Sequence, residues 1–256
     1  MKKISVIIPS LNQGTFIEKT ILSLLDQGYP NLEIIVMDGG STDSTVSILK
    51  KYDSVLTWFS EKDKGQADAI NKGINLSTGE IIGFLNSDDF LLPNTLNLIS
   101  KQFINENTLW ITGDYIIVDS NDKPIQSFIV RYKRWLRKFS SKNLLLITNF
   151  IVQPSTFWRN TLSTQIGFFD ESLKFVMDYD YWLRAYNISK PKIIEEPISG
   201  FRIHKQSKGG SQYKNQFQEE YFICKRHTKN PLLKLFHKIH NEMIVFSYNL
   251  IKNHEA

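Results

Sequence analysis

The chain has 256 residues, of which 41% are hydrophobic and 22% charged, the balance of a globular protein rather than of a disordered or fibrous one. A single cysteine, Cys224, excludes an internal disulfide framework and fits a reducing compartment, and five histidines leave no zinc-finger spacing. The net charge of +5 is carried entirely by residues 205–256, with nine Lys/Arg against four acids, whereas residues 1–204 balance at 22 of each.

Met1-Lys2-Lys3 has the charge of a leader, but Ile4–Ile8 is too short for its apolar core, so no secretory signal is expected. No apolar run approaches the ~18–20 residues that span a bilayer; Leu144–Ile147 and Met243–Phe246 are core-sized. A cytoplasmic protein is expected.

Ile4–Pro9 is apolar apart from Ser5, as a buried parallel strand is. Ile17, Ile21, Leu24 and Leu25 mark one face of a helix that Gly28–Asn31 ends. Leu32–Met37 is a second strand ending at Asp38, and Ser44–Tyr52 a helix capped by Asp43. Val55–Phe59, a helix over Gln66–Leu76, a strand over Glu80–Leu85 and a helix opened by Pro93 follow. This alternation predicts an α/β fold with a mostly parallel central sheet flanked by helices, whose ligands bind beyond the carboxyl ends of the strands. Polar clusters stand at all four ends: Pro9–Asn12, Asp38–Ser41, Ser60–Gly65 and Asn86–Asp89.

Beyond residue 115 the texture changes. Tyr115–Asp119 and Pro124–Val130 around a Ser-Asn-Asp turn predict a hairpin. Arg131–Lys142 holds six basic residues and no acid, interleaved with Tyr132, Trp135 and Phe139. It reads either as a solvated helix or as a peripheral membrane contact; no groove-reading motif supports nucleic acid. Gln153–Trp158 and Pro197–Ile203 are strands, and Asp178–Ile188 is a helix. Lys208–Ser211 is a hinge candidate before a helical tail. In that tail Leu232, Leu235, Phe236, Ile239 and Met243 form an apolar stripe expected to pack on the chain's own domain. The expected organisation is a donor-binding half (1–115), an acceptor-binding and catalytic half of the same domain (116–210), and a basic helical extension (211–256).

P-loop, dinucleotide and nucleophile-elbow motifs are absent. What remains is a set of strand-end carboxylates, Asp38, Asp63, Asp88 and Asp89. Adjacent carboxylates need a cation or hydrogen-bond donors, and an oxygen pair suits Mg²⁺ or Mn²⁺; the bland reading of Asp88-Asp89 is a cap on the next helix. Asp38 can be a turn residue or a grip on a ribose hydroxyl.

Ser5–Asn12, Ser23–Gln27, Glu33–Asp43, Asp63–Gly65, Asp68–Gly73, Gly79–Ile82, Phe84–Asp89, Phe168–Glu171, Asp178–Arg184 and Arg202–His204, in that order and spacing, resemble glycosyltransferase family 2. The resemblance covers residues 1 to about 210. It implies the GT-A (nucleotide-diphospho-sugar transferase) fold, a nucleotide-sugar donor, Mn²⁺ or Mg²⁺, and an inverting transfer to a glycan or polyprenyl-linked glycan, as in bacterial surface-polysaccharide assembly. UDP is the implied nucleotide, with dTDP and GDP as alternatives. Carried over residue by residue, Pro9, Ser10, Asn12 and Asp38 line the base and ribose site, with Asp63, Gly65 and Asp68 near the donor. Asp88 and Asp89 stand at the DXD-like motif, with Asn86 among the donor-binding residues. Asp88 would face hydroxyls and Asp89 would bind the metal, with His204 as a further ligand; a lone histidine is otherwise ordinarily a surface or satisfied core residue. Asp178 matches the general base, with Asp180 as the alternative. The two lie about 200° apart on a helix, so one alone can face the cleft. The competing classes are a sugar-phosphate nucleotidyltransferase, which this chain's lack of a Gly-rich basic loop disfavours, and a non-catalytic nucleotide-sugar-binding protein.

Overall fold

The computed structural model describes residues 1–205 and 213–254. The strands are β1 (Ile4–Ser10), β2 (Leu32–Asp38), β3 (Thr57–Ser60), β4 (Ile81–Phe84), β5 (Phe90–Leu91), β6 (Trp110–Val118), β7 (Thr156–Arg159) and β8 (Lys192–Arg202). They form one sheet in the order β3-β2-β1-β4-β7-β6-β8-β5. β1 pairs in parallel with β2 and β4, β2 with β3, and β6 with β8. β7 runs antiparallel to β4 and β6, and β5 antiparallel to β8. The α/β expectation and its mostly parallel sheet hold, and β7 is the strand that joins the halves.

The helices are α1 (Ile17–Leu25), α2 (Thr45–Lys51), α3 (Gln66–Leu76), α4 (Thr95–Gln102), α5 (Ser127–Lys138), α6 (Lys142–Ile147), α7 (Asn160–Ile166), α8 (Met177–Ile188), α9 (Tyr213–His227) and α10 (Pro231–His254). Side chains alternate across β1, which is why apolar residues are needed on both faces there: Val6 and Ile8 join α1's Ile17, Ile21 and Leu24 on one face, while Ile7 joins α3 and α8 on the other. Gly73 lets α3 lie close on β1, since a Cβ there would sit 2.4 Å from Ile7. This two-sided burial holds the strand ends rigid.

Four expectations change. Pro93 does not open the next helix; α4 begins at Thr95. A short 3₁₀ turn occupies Gln153–Ser155, so β7 starts only at Thr156. The hairpin is limited to one bridge, Val118 to Pro124. Its turn is real, with Asp119 Oδ1 accepting the amides of Asn121 and Lys123, but Gln126 in the left-handed region (φ 50°) starts α5. A buried carboxylate captures that helix. Asp114, fully buried on β6, pairs with Arg134 and Arg137, three residues apart and therefore on one helical side. The basic stretch is thus partly internal. The fourth change is in the tail. α10 buries His237 and Asn241 and turns Leu232, Leu235, Phe236, Ile239 and Met243 outward, 44–64% exposed. The hinge candidate at 208–211 lies outside the described residues.

Removing one partner of a buried ion pair strands the other. Asp114→Ala is expected to lower the unfolding free energy by about 3–5 kcal/mol in urea titrations. Asp114→Ala combined with Arg137→Met should recover part of that loss. Equal instability of single and double variants would show that the pair does not hold α5 to the sheet.

Candidate functional site

A cleft of about 470 Å³ opens at the carboxyl ends of β1 and β4. Of the expected site residues, Pro9, Ser10, Asp63, Gly65, Asn86, Asp88 and Asp178 line it. Pro9 and Ser10 end β1. The Ser10 hydroxyl is buried without a hydrogen-bond partner, as expected of a group that meets a ligand. Gly65 (φ 124°) takes a backbone conformation that other residues rarely adopt, at the turn into α3. Asp63 accepts the Gly65 amide (2.9 Å), and burial raises its carboxyl above the ordinary value.

Asn12, Asp38 and Asp68 stand behind the cleft wall. Asn12 Oδ1 accepts the Thr42 amide (2.8 Å) and its own amide donates to the Ser41 hydroxyl (2.7 Å), which ties two strand-end loops together. Asp38 is buried; it accepts the amides of Gly40 and Ser41 and the hydroxyls of Ser41 and Ser60. Asp68 accepts the Lys64 amide (3.0 Å), which holds its carboxyl below the ordinary value, and pairs with Lys72. All three shape the loops on which the lining residues sit.

The geometry separates Asp88 from Asp89. Asp89 is buried under the floor, its oxygens taken by the Arg202 amide (2.9 Å) and the Asn86 side chain (3.1 Å). Burial, with the neighbouring Asp88 charge, pushes its carboxyl well up. Asp88 faces the cleft, its Oδ2 3.0 Å from His204 Nε2, and the His204 ring leans on Phe16 at 4.7 Å. The carboxylate that meets His204 is therefore Asp88, in place of the expected Asp89. A carboxylate and an imidazole on the rim of a cleft suit Mn²⁺ or Mg²⁺, which would take further oxygens from a diphosphate and water. No cluster of three or more His, Cys, Asp or Glu suited to a metal exists among the described residues.

Asp178 sits in the first turn of α8, on the cleft. Burial raises its carboxyl to about 6. Asp180 faces the other way, accepting from Arg184 (2.8 Å) and meeting His227 (2.8 Å). Burial works against its charge, but these partners hold it below the ordinary value.

Residues that sequence reasoning passed over complete the site. Arg202 lines the cleft and donates to the Asp88 carbonyl (2.8 Å). Gln66 donates to the expected Asn86 (2.7 Å), and Gln153 Oε1 accepts from it (3.1 Å). Glu219 on α9 accepts the amides of Lys174, Phe175 and Val176, the loop that leads into Asp178. Glu220, next to it, is buried in the cleft wall with Gln216. Burial raises Glu220 to about 7, against the opposing pull of Lys133 on α5, whose ammonium is itself pushed down by burial. The signal in the sequence was this acidic pair inside a basic tail.

A carboxyl whose pKa is higher folded than unfolded stabilises the fold fully below the unfolded value, and that stability is lost as pH rises through the folded one. For Glu220 the window runs from 4.5 to about 7. Glu220→Gln is therefore expected to melt with the wild type near about pH 4 and above it beyond about pH 7. A pH-independent difference in melting temperature would show that Glu220 is not a strained buried charge.

Residues 5–162 match the model of glycosyl transferase family 2. An uncharacterised glycosyltransferase of Rickettsia typhi is 30% identical over 206 residues, 78% of this chain and 64% of that protein, so the chain spans just under two thirds of that relative's length. A Pyrobaculum calidifontis mannosyltransferase solved with GDP-Man and Mn²⁺ superposes with a TM-score of 0.72 at 19% identity, over 94% of this chain and 69% of the other. Staphylococcus aureus TarS 1-349 with UDP-GlcNAc gives 0.64 at 20% identity, over 86% and 65%. The fold is GT-A, and the family match over most of the sheet shows that the chain belongs to glycosyl transferase family 2.

Proposed function

We propose that the protein transfers a sugar from a nucleotide-sugar donor, with UDP as the favoured nucleotide, to a hydroxyl of a glycan or polyprenyl-linked glycan, with inversion at the anomeric carbon. The observation that carries this reading is the single cleft lined at one side by Ser10, Asp63 and Gly65, on its floor by Asp88, and by Asp178 as a half-buried carboxyl of raised proton affinity. The fold relatives in complex with UDP-GlcNAc and GDP-Man support a nucleotide-sugar in such a cleft.

The unpartnered Ser10 hydroxyl and the Gly65 turn bound the nucleotide end. Asp88 and His204 would hold a divalent cation, which supplies charge neutralisation for the departing diphosphate. Asp178 accepts the acceptor hydroxyl's proton as that oxygen attacks the anomeric carbon and the diphosphate leaves. A general base near 6 is largely ionised at neutral pH yet more basic than an ordinary aspartate. The Asn86–Gln66–Gln153 amides fix the floor, and Phe175, Val176 and Met177 keep the base in an apolar surround.

The test is turnover of a UDP-sugar panel with Mn²⁺, following UDP release and the anomeric configuration of the product. Asp178→Asn is expected to keep UDP binding and lose ~10²–10⁴-fold in kcat. Because the base works deprotonated, kcat/KM of the wild type should rise as pH passes about 6 and then level. Asp180→Asn, by contrast, should weaken the fold through Arg184 and His227; loss of turnover there with Asp178→Asn active would reverse the assignment. In calorimetry, Asp88→Asn and His204→Ala should each abolish the Mn²⁺-dependent part of UDP affinity. Unchanged Mn²⁺ dependence in both would remove them as the cation's ligands.

A further inference from the structure

α10 faces the body of the protein with Leu233, packed on the core, and with two polar groups: His237 is fully buried with Nδ1 2.8 Å from the Leu146 carbonyl, and Asn241 meets His237 Nε2 at 2.9 Å and the Phe217 carbonyl at 3.3 Å. Its outward side carries Leu232, Leu235, Phe236 and Ile239 at spacings of 3, 1 and 3, a single helical stripe. α5, which buries Val130, Leu136 and Arg137, also leaves an apolar stripe outside. Phe128, Trp135 and Phe139, 53–60% exposed, share one stripe with the partly exposed Tyr132.

The two stripes meet. Tyr132 and His240 share a hydrogen bond (2.8 Å) with their rings stacked, and His240 lies one turn beyond Phe236 and next to Ile239. Beside the aromatic stripe stand exposed Arg131 and Lys138, and no acid occurs between Asp122 and Asp170. On α10 the exposed Lys238 is paired with Glu242 (3.9 Å), so the net positive border comes from α5. A soluble protein partner offers no reason for this combination of aromatic side chains, a cationic border and an acid-free segment. An interfacial layer of anionic headgroups over acyl chains does: aromatic rings settle at the headgroup level and Lys/Arg meet the phosphates.

We infer that the joined outer faces of α5 and α10 are a docking surface for an anionic lipid bilayer. Arg134 and Arg137 take no part, because Asp114 holds both. Lys133, also on α5, stands toward Glu220 and Asp178, so the helix that carries the aromatic stripe also borders the cleft wall. This inference does not rest on the sugar-transfer reading, and UDP binding serves to separate the two.

The full chain is floated with phosphatidylcholine vesicles and with vesicles containing phosphatidylglycerol, at low salt and at about 0.5 M NaCl. Binding is expected to the anionic vesicles alone and to fall at high salt. Phe128→Ser/Trp135→Ser/Phe139→Ser and, separately, Leu235→Ser/Phe236→Ser should each weaken partitioning tenfold or more, and Arg131→Glu/Lys138→Glu should do so roughly tenfold or more. Circular dichroism and UDP affinity should match the wild type in all three. Absence of wild-type binding to anionic vesicles overturns the inference. So does a wild-type dimer in light scattering that the same apolar substitutions dissociate without changing vesicle binding, since the face would then be a contact between copies of the chain.

Discussion

The floor of the cleft depends on how one buried carboxylate, that of Asp89, is held. A carboxylate out of water costs several kcal/mol unless donors surround it. Here the donors are the Arg202 amide, at the end of β8, and the Asn86 amide, at the end of β4. The Arg202 side chain adds the Asp88 carbonyl, the Asp119 carbonyl and Asp122, and it lies over the rings of Phe16 and Phe90. One guanidinium thereby joins the loop after β4, the turn after β6 and the segment before α1. With Asp89 turned down into this network, its neighbour Asp88 is the carboxylate left at the surface, within reach of His204. The distinction between two adjacent aspartates follows from burial, because only one of them can be satisfied from below.

The other wall is set from the tail. Glu219 receives three successive amides ahead of α8, where the helix dipole favours negative charge, and so positions the turn that carries Asp178. Arg226 pairs with Asp170, and His227 with Asp180, which adds two further ties between α9 and the segment around α8. α9 is thus packed into the active region. The adjacent Glu220 is the cost of that closeness. It is buried facing Asp178 with Lys133 as counter-charge, and the three groups share an environment in which each disfavours its own charged form. On the other side of α8 from this charged wall, Tyr181 and Trp182 pack with Trp158 and Phe169 in an aromatic cluster.

The first half of the fold was legible because period and punctuation agree there: Ile4–Pro9 and Leu32–Met37 are apolar runs, broken only by Ser5 and Glu33 and ended by Pro, Asp and Gly, and both became strands. The site was legible as a set of strand ends, since Pro9, Ser10, Asp63, Gly65, Asn86 and Asp88 converge on one cleft with Asp178. What local pattern lacks is direction. Asp88 and Asp89 have the same neighbours in sequence, and only the long-range contact with Arg202 distinguishes them. The Tyr115–Val130 hairpin failed for a related reason. A turn at Asp119 is encoded locally, but the strand that should return is instead drawn into a helix by Asp114, Arg134 and Arg137, and by packing of Ile125, Ile129 and Val130 on Tyr115, Ile117 and Val152. Glu220 could not be placed at all, because its role depends on where a helix far along the chain docks.

The same distinction explains α10. An apolar stripe at helical spacing gives the existence of the helix and leaves open which way the stripe points. Orientation is decided by the opposite side, where His237 and Asn241 hydrogen-bond to Leu146, to Phe217 and to each other. Satisfied polar groups bury at little net cost, whereas each exposed Leu or Phe forgoes roughly 1.5–3 kcal/mol of possible burial. α10 anchors through Leu233, His237 and Asn241 and leaves large apolar residues outward, forgoing part of that burial. α5 does likewise, holding Val130, Leu136 and Arg137 inward while its aromatic stripe faces out. Two neighbouring helices that make the same sacrifice, and touch through Tyr132 and His240, describe one surface rather than two accidents of packing. Since α5 also contributes Lys133 to the wall beside Asp178, the orientation that exposes the stripe is the one that brings the charged wall to the cleft.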